Sequence, residues 1–205
     1  MDTTRAKALL GGLTKIETGG RNDIKPGTVQ VLISQVAMEE SRDFKPYIRS
    51  KATVLVPIMD GKGRKPWDEE YNGHFKGEEI SFCFFFGDRF QKDFSRFLCA
   101  ALDISPEDAK GVTGDELQQM ALSIIKLDDQ PSGTLDGNTV IEMRGVESAP
   151  VEDKKNPGKL KTYTNERYDK HVPLEDLMDS LDEQDIARYF GSMEHFAALC
   201  EAAAE

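Results

Sequence analysis

A chain of 205 residues, 39% hydrophobic and 31% charged with a formal net charge of -11, has the composition of an ordinary globular protein with room for one good core and appendages. Its early apolar run, Ala8 to Leu13, is too short and too rich in glycine for a membrane span, so the expected place is the cytoplasm, that of a host cell if the chain is phage-encoded. Cys83, Cys99 and Cys200 form no CxxC pair and His74, His171 and His195 lie far apart, so no disulfide framework, metal or other cofactor is expected.

Residues 1–26 are polar, end in "KPG", and read as an N-terminal arm closed by a turn. "TVQVLISQVAM" (Thr28 to Met38) alternates with the period of a half-buried strand, and "KATVLVPI" supplies a second, with Ala52, Val54, Val56 and Ile58 on one face. "DGKGRKP" is an exposed turn. "EEISFCFFFGD" (Glu78 to Asp88) is a continuous apolar run, a third strand expected to be buried on both faces, with Phe82, Phe84, Phe85 and Phe86 in the core.

The period then changes. Phe90, Phe94, Phe97, Leu98, Ala101 and Leu102 recur at helical spacing, "DISPED" offers a helix start, and "DELQQMALSIIKL" is a second helical stretch. Alternation returns in Thr139 to Glu147 and in "LKTYTNERY" (Leu160 to Tyr168). "SLDE" reads as a capping box opening a helix to about Phe190, followed by Gly191 and a last helix through Cys200.

Strand, strand, strand, helices, strand, strand is the order of an OB-fold, a five-stranded, partly open Greek-key barrel. The expected fold is therefore mainly β with helices: an OB-fold-like domain over 27–172, helices between its third and fourth strands, and an acidic helical segment over 173–205. Small barrels and sandwiches of other topology share such alternation. The charge is uneven. From Glu175 to Glu205 nine acidic residues face one basic residue, whereas Arg42 to Trp67 holds seven basic and two acidic, and Lys154 to His171 six basic and two acidic.

The run "KPGTVQVLISQV", the loop "GKGRKPW", the helix "FQKDFSRFLCAALDIS" and the late "GKLKTYTNERY" resemble tailed-phage single-stranded-DNA-binding proteins of the OB-fold type, encoded in replication and recombination modules. The resemblance spans roughly residues 25 to 172. It rests on element order and residue character, not on an invariant motif. It implies a non-enzymatic single-strand binder that contacts replication or recombination proteins through its acidic C-terminus. Many such proteins end in an acidic run closed by an aromatic residue, whereas this chain ends "LCEAAAE".

Single-stranded DNA presents phosphates and unstacked bases, so a sequence-tolerant binder needs cations along a groove and aromatic faces for stacking. Three segments combine the two: Arg42, Phe44, Lys45, Tyr47, Arg49 and Lys51; Lys62, Arg64, Lys65 and Trp67; Lys161, Tyr163, Arg167 and Tyr168. The first also suits a solvated strand edge, with Phe44 or Tyr47 capping the core. Tyr163 and Tyr168, at odd spacing within one strand, point to opposite faces, so at most one meets a ligand.

The chain has no GxxxxGK[ST], GxSxG or HExxH, and adjacent carboxylates such as Glu69 and Glu70 are expected by chance among 37 acidic residues; no enzyme is expected. The leading reading is sequence-independent single-stranded DNA binding, with homo-oligomerisation open and no membrane partner. Its rival is an acidic protein-interaction module, either a virion component or an inhibitor that mimics DNA charge. A flexible acidic tail would compete with DNA for the basic groove, so that deletion from about Glu175 raises affinity. Ile186, Tyr189, Phe190, Phe196 and Leu199 leave the opposite outcome open, in which the tail packs on the barrel and its loss destabilises the fold.

Overall fold

The computed structural model describes residues 2–11, 24–42, 45–87, 90–105, 107–127, 135, 138–153 and 156–203. Five helices and a five-stranded antiparallel sheet are found among them, with strand order β3-β2-β1-β4-β7. The long partners β1 (Gly27–Glu40) and β2 (Pro46–Asp60) pair along their whole length, with register shifts that let the ribbon bend. The near part of β1 also pairs with β4 (Val140–Glu147), while the far part of β2 pairs with β3 (Glu79–Phe85). β7 (Thr164–His171) lies on the other side of β4. A separate two-stranded ribbon, β5 (Val151–Glu152) and β6 (Leu160–Lys161), projects between β4 and β7. The stretch expected as one fifth strand is thus interrupted at Thr162 and Tyr163.

The sheet does not close into a barrel. β3 and β7 are its two edges, and α2 (Phe90–Ala101) lies across the seam between them. Aromatic rings fill that seam. Tyr168 stands 5.5 Å from Phe82, 5.8 Å from Phe84 and 5.5 Å from Phe97 between ring centroids, and Phe84 meets Phe94 at 5.1 Å. Tilted and edge-to-face aromatic pairs of this kind add roughly 0.5–1.5 kcal/mol each beyond area burial. α3 (Gly114–Ile124) opens with Thr113 and Glu116 in a reciprocal capping box, and α1 (Thr3–Leu10) packs Ala6 and Leu10 into the same core.

Two expectations change here. The third strand alternates: Ile80, Phe82 and Phe84 face the core, while Phe85 is 58% exposed and Phe86 only packs at the margin. The acidic C-terminal segment is not a free tail. Leu174, Leu177, Leu181, Ile186, Phe190 and Phe196 form a second core with Leu32, Leu55, Val140 and Val172 on the outer side of the sheet. α4 (Glu183–Phe190) begins at a capping box of Asp182 and Asp185, two residues beyond the expected Ser180, and α5 (Met193–Ala203) seats Phe196 4.8 Å from Phe190. Lys76 bonds Asp185 at 2.6 Å, tying the β2–β3 loop to α4. The apolar stripe overrides the charge, because burying such side chains stabilises by about 1.5–3 kcal/mol each while exposed like charges repel weakly through solvent. No helix among the described residues is long and apolar enough to cross a membrane.

Candidate nucleic-acid interface

Period-two geometry sorts the first basic segment. On β2, Ile48, Ser50 and Ala52 point inward, and Tyr47, Arg49 and Lys51 point outward. The register with β3 sets Tyr47 beside Phe85, Arg49 beside Cys83 and Lys51 beside Ser81. Phe85 stacks on Tyr47 at 5.3 Å with a 27° interplanar angle. Tyr47 is itself 7% exposed, so its ring backs Phe85 instead of meeting a base directly. Its hydroxyl donates to Glu39 at 2.7 Å and accepts from Arg49 at 2.9 Å. The bond to Glu39, with burial, pushes the Tyr47 pKa up. Arg49 also lies 3.3 Å from Glu39, and its contact with the Cys83 sulfur is the main reason that its pKa rises further.

Around this platform stand exposed cations. Lys51 lies on the face, Arg42 and Lys45 lie in the turn beyond it, and Lys126 is bridged to Ala37, the β1 neighbour of Arg49. None of these four has an ion pair among the described residues. Phe44 lies outside the described residues. Sequence reasoning missed Phe85 and Lys126. Phe85 was hidden in an unbroken apolar run, where alternation leaves no trace, and Lys126 reaches the face only through a long-range bridge.

The second segment has a different fate. Asp60, almost fully buried, accepts from the backbone N–H of Lys62 (2.8 Å), Arg64 (2.9 Å) and Asn72 (3.2 Å) and from Arg64 Nε (2.7 Å). Burial alone would raise the Asp60 pKa, but the Arg64 side chain and these N–H donors together hold it far below the usual carboxylate range. Arg64 reaches Glu70 as well, at 3.0 Å, so its charge is neutralised within the loop. Trp67 is 76% exposed, with the Lys65 ammonium 5.1 Å from the centre of its ring. The base of the loop is clasped by His74, whose Nε2 accepts from the Lys25 N–H at 3.0 Å while Nδ1 lies 3.0 Å from Glu78.

In the third segment, Tyr168 is buried in the aromatic seam and cannot stack on a ligand. Burial drives its pKa well above the ordinary tyrosine value. Tyr163 is half-buried, bonded through its backbone to Ser148, with the Lys161 ammonium 5.1 Å from its ring centre. Arg167 is exposed on β7, three strands from β2 in the sheet order.

The structure therefore unites Arg42, Lys45, Tyr47, Arg49 and Lys51 with Phe85 on one outer face. Lys62, Arg64, Lys65, Trp67, Lys161 and Tyr163 lie at the opposite end of the β1–β2 ribbon. Tyr47 and Asp60 are separated by twelve residues of strand, about 40 Å of contour. No cluster of metal-ligating side chains occurs among the described residues. In comparisons with known proteins, no family model matches this sequence and no curated protein is detectably similar to it.

Proposed function

We propose that this chain binds single-stranded DNA without sequence preference along the outer face of β2 and β3. The observation that carries the reading is the row of Tyr47, Arg49 and Lys51 beside an exposed, stacked Phe85, ringed by Arg42, Lys45 and Lys126. An exposed phenylalanine offers a π-face and no hydrogen-bonding edge, which suits any base. Exposed cations around it, four of them without an ion pair among the described residues, suit phosphates. The strand order, with helices between the third and fourth long strands of the sheet, supports reading the domain as an OB-fold opened at one seam, and the β2–β3 face is where such folds hold oligonucleotides. In a phage-type replication or recombination module, the docked acidic helices would face partner proteins.

A titration of labelled dT oligomers tests this. Four exposed cations predict a log–log salt slope of about -3 at roughly -0.7 per phosphate contact. A second readout is alkylation of Cys83 in a Cys99→Ser/Cys200→Ser variant, which bound dT should slow because Cys83 lies in the row between Phe85 and Ser81. Tight duplex binding without dT binding would overturn the proposal.

One observation favours the rival DNA-charge mimic: the acidic residues of α4 and the turn before it are fixed on a folded surface. A chain that ignores dT but displaces DNA from a basic DNA-binding enzyme would support that reading.

A further inference from the structure

Strand order sets Arg167 three strands from β2, but the sheet is curled, and the shorter way round crosses the seam. Tyr168, the chain neighbour of Arg167, stands 5.5 Å from Phe82 and 5.8 Å from Phe84 between ring centroids. Those two phenylalanines flank Cys83, which faces outward on β3 beside Arg49 of β2. Tyr168, Phe82 and Phe84 all turn into the core, so by alternation Arg167 and Cys83 share the outer surface. The row that runs from Arg49 to Cys83 thus points across the seam toward Arg167. The distance to be crossed from Arg49 is on the order of 10–15 Å, one strand spacing plus the wider, ring-filled seam.

A second arginine borders the same seam. Arg96 is half-buried on α2, the helix that packs along β7 and sets Phe97 against Tyr168. Neither Arg96 nor Arg167 forms an ion pair among the described residues. Two carboxylates lie near them. Asp169 is held by Arg144, through Nε at 3.1 Å and Nη2 at 3.0 Å, and Asp93 is buried on α2. Both attract Arg96, yet burial and then the Arg167 charge outweigh them and lower its pKa. A single exposed arginine is ordinary. Two that different elements bring together, one of them half-buried, repel each other in the free protein, and an anion between them offsets that repulsion.

We infer that a bound single strand does not end on the β2–β3 face but crosses the seam, where Arg96 and Arg167 together hold the phosphates beyond Phe85. The inference rests on the single-strand-binding reading and adds a path and two contacts to it. β3 lies between β2 and the seam, so Lys51 stands on one side of Phe85 and this arginine pair on the other. A base stacked on Phe85 is then bracketed by phosphate contacts in both directions along the strand. Guanidinium groups suit the task, because their planar forks match phosphate oxygens two at a time.

Oligomers of dT at the two ends of the range for one OB-fold, about 4 and about 16 nucleotides, test this on the full chain. The short one stays on the β2–β3 face. The long one crosses the seam, and its log–log salt slope should be steeper by about 1.4, two contacts at roughly 0.7 each. Arg96→Gln/Arg167→Gln should abolish that difference and leave the short oligomer unaffected, with unchanged circular dichroism. Arg96→Lys/Arg167→Lys should retain it, since charge sets counterion release. Arg167→Gln alone, at an exposed position that leaves the fold intact, should remove about half of it, about 0.7. A chain that binds dT of neither length overturns the single-strand reading and this inference together. Binding in which both lengths share one slope, or in which the glutamine variants weaken both lengths equally or neither, would overturn the inference alone.

Discussion

Two stretches of this chain look alike in composition, and the fold uses them differently. Arg42 to Lys51 and Lys62 to Trp67 both interleave cations with aromatic rings. In the first, strand geometry sets alternate residues on one face and, among the described residues, leaves Lys51 without an ion pair while Arg49 is drawn toward Glu39. In the second, a turn folds Arg64 back on Asp60 and Glu70, so the charge that looked available holds the loop together. Whether a cation can serve a ligand depends on the nearest buried carboxylate, and composition does not report that.

The largest effect comes from breaking the frame that holds the two stretches apart. Phe196→Ala empties the centre of the second core and should cost about 3–5 kcal/mol in denaturant unfolding. Hydrogen exchange should rise first in the 61–78 loop, which loses its anchor when α4 and its Asp185 bond to Lys76 loosen. Deleting the acidic segment should therefore lower stability, the opposite of the gain in DNA affinity expected of a flexible tail. Neutralising Asp182 or Asp185 is no clean charge test either, since both cap α4.

Next in size is the contrast between the two exposed rings. Phe85→Ala should weaken dT binding by about 1–3 kcal/mol, roughly 5- to 150-fold, with little change in melting temperature because the ring is more than half exposed. Trp67→Ala, measured in the same titration, should change affinity by less than about twofold, within the range of surface substitutions. Equal losses at both positions would erase the distinction between the stretches.

The cations give a smaller, cleaner pair. Lys51→Ala should reduce the salt slope by about 0.7 and leave stability alone. Arg64→Ala should leave the slope unchanged and lower the melting temperature, because Asp60 keeps its buried position without its partner.

The smallest effect is a pH dependence at the loop clasp. Burial lowers the His74 pKa, against the pull of Glu78. The unfolded chain therefore takes up the proton first, so the stabilisation is fully present above the unfolded value of about 6.5 and is lost as pH falls below it. Protonation would also set a second N–H against the Lys25 N–H that His74 now accepts. The urea midpoint of the wild type should fall over that range, and that of His74→Gln should not.

Much of this was legible in the residues. Alternation found the long strands, helical spacing found α2 and α3, and the apolar stripe of Ile186, Tyr189 and Phe190 already opposed a free tail. Tyr163 and Tyr168 do differ in environment, but Tyr163 lies in the break before β7, so alternation within one strand is not the cause. What failed had physical causes. Four phenylalanines within five positions look the same inside and out, so Phe85 was placed in the core. Counting charges along the C-terminal segment hid the apolar face that docks it. The open seam between β3 and β7 is closed by rings and α2, without strand hydrogen bonds, and no local pattern announces which of the two closes a sheet.

The second core also fixes an order of events during synthesis. Leu32 and Leu55 leave the ribosome early, on the side of the sheet that, among the described residues, the 174–200 segment covers. Until most of the chain has emerged, a nascent protomer with its sheet formed carries an apolar strip, and interrupted translation would release an adhesive fragment. In a protein with a net charge of -11, the acidic residues that accompany Leu174, Leu177 and Ile186 arrive with the covering side chains. The segment that buries the strip thus also delivers much of the charge that keeps finished molecules apart.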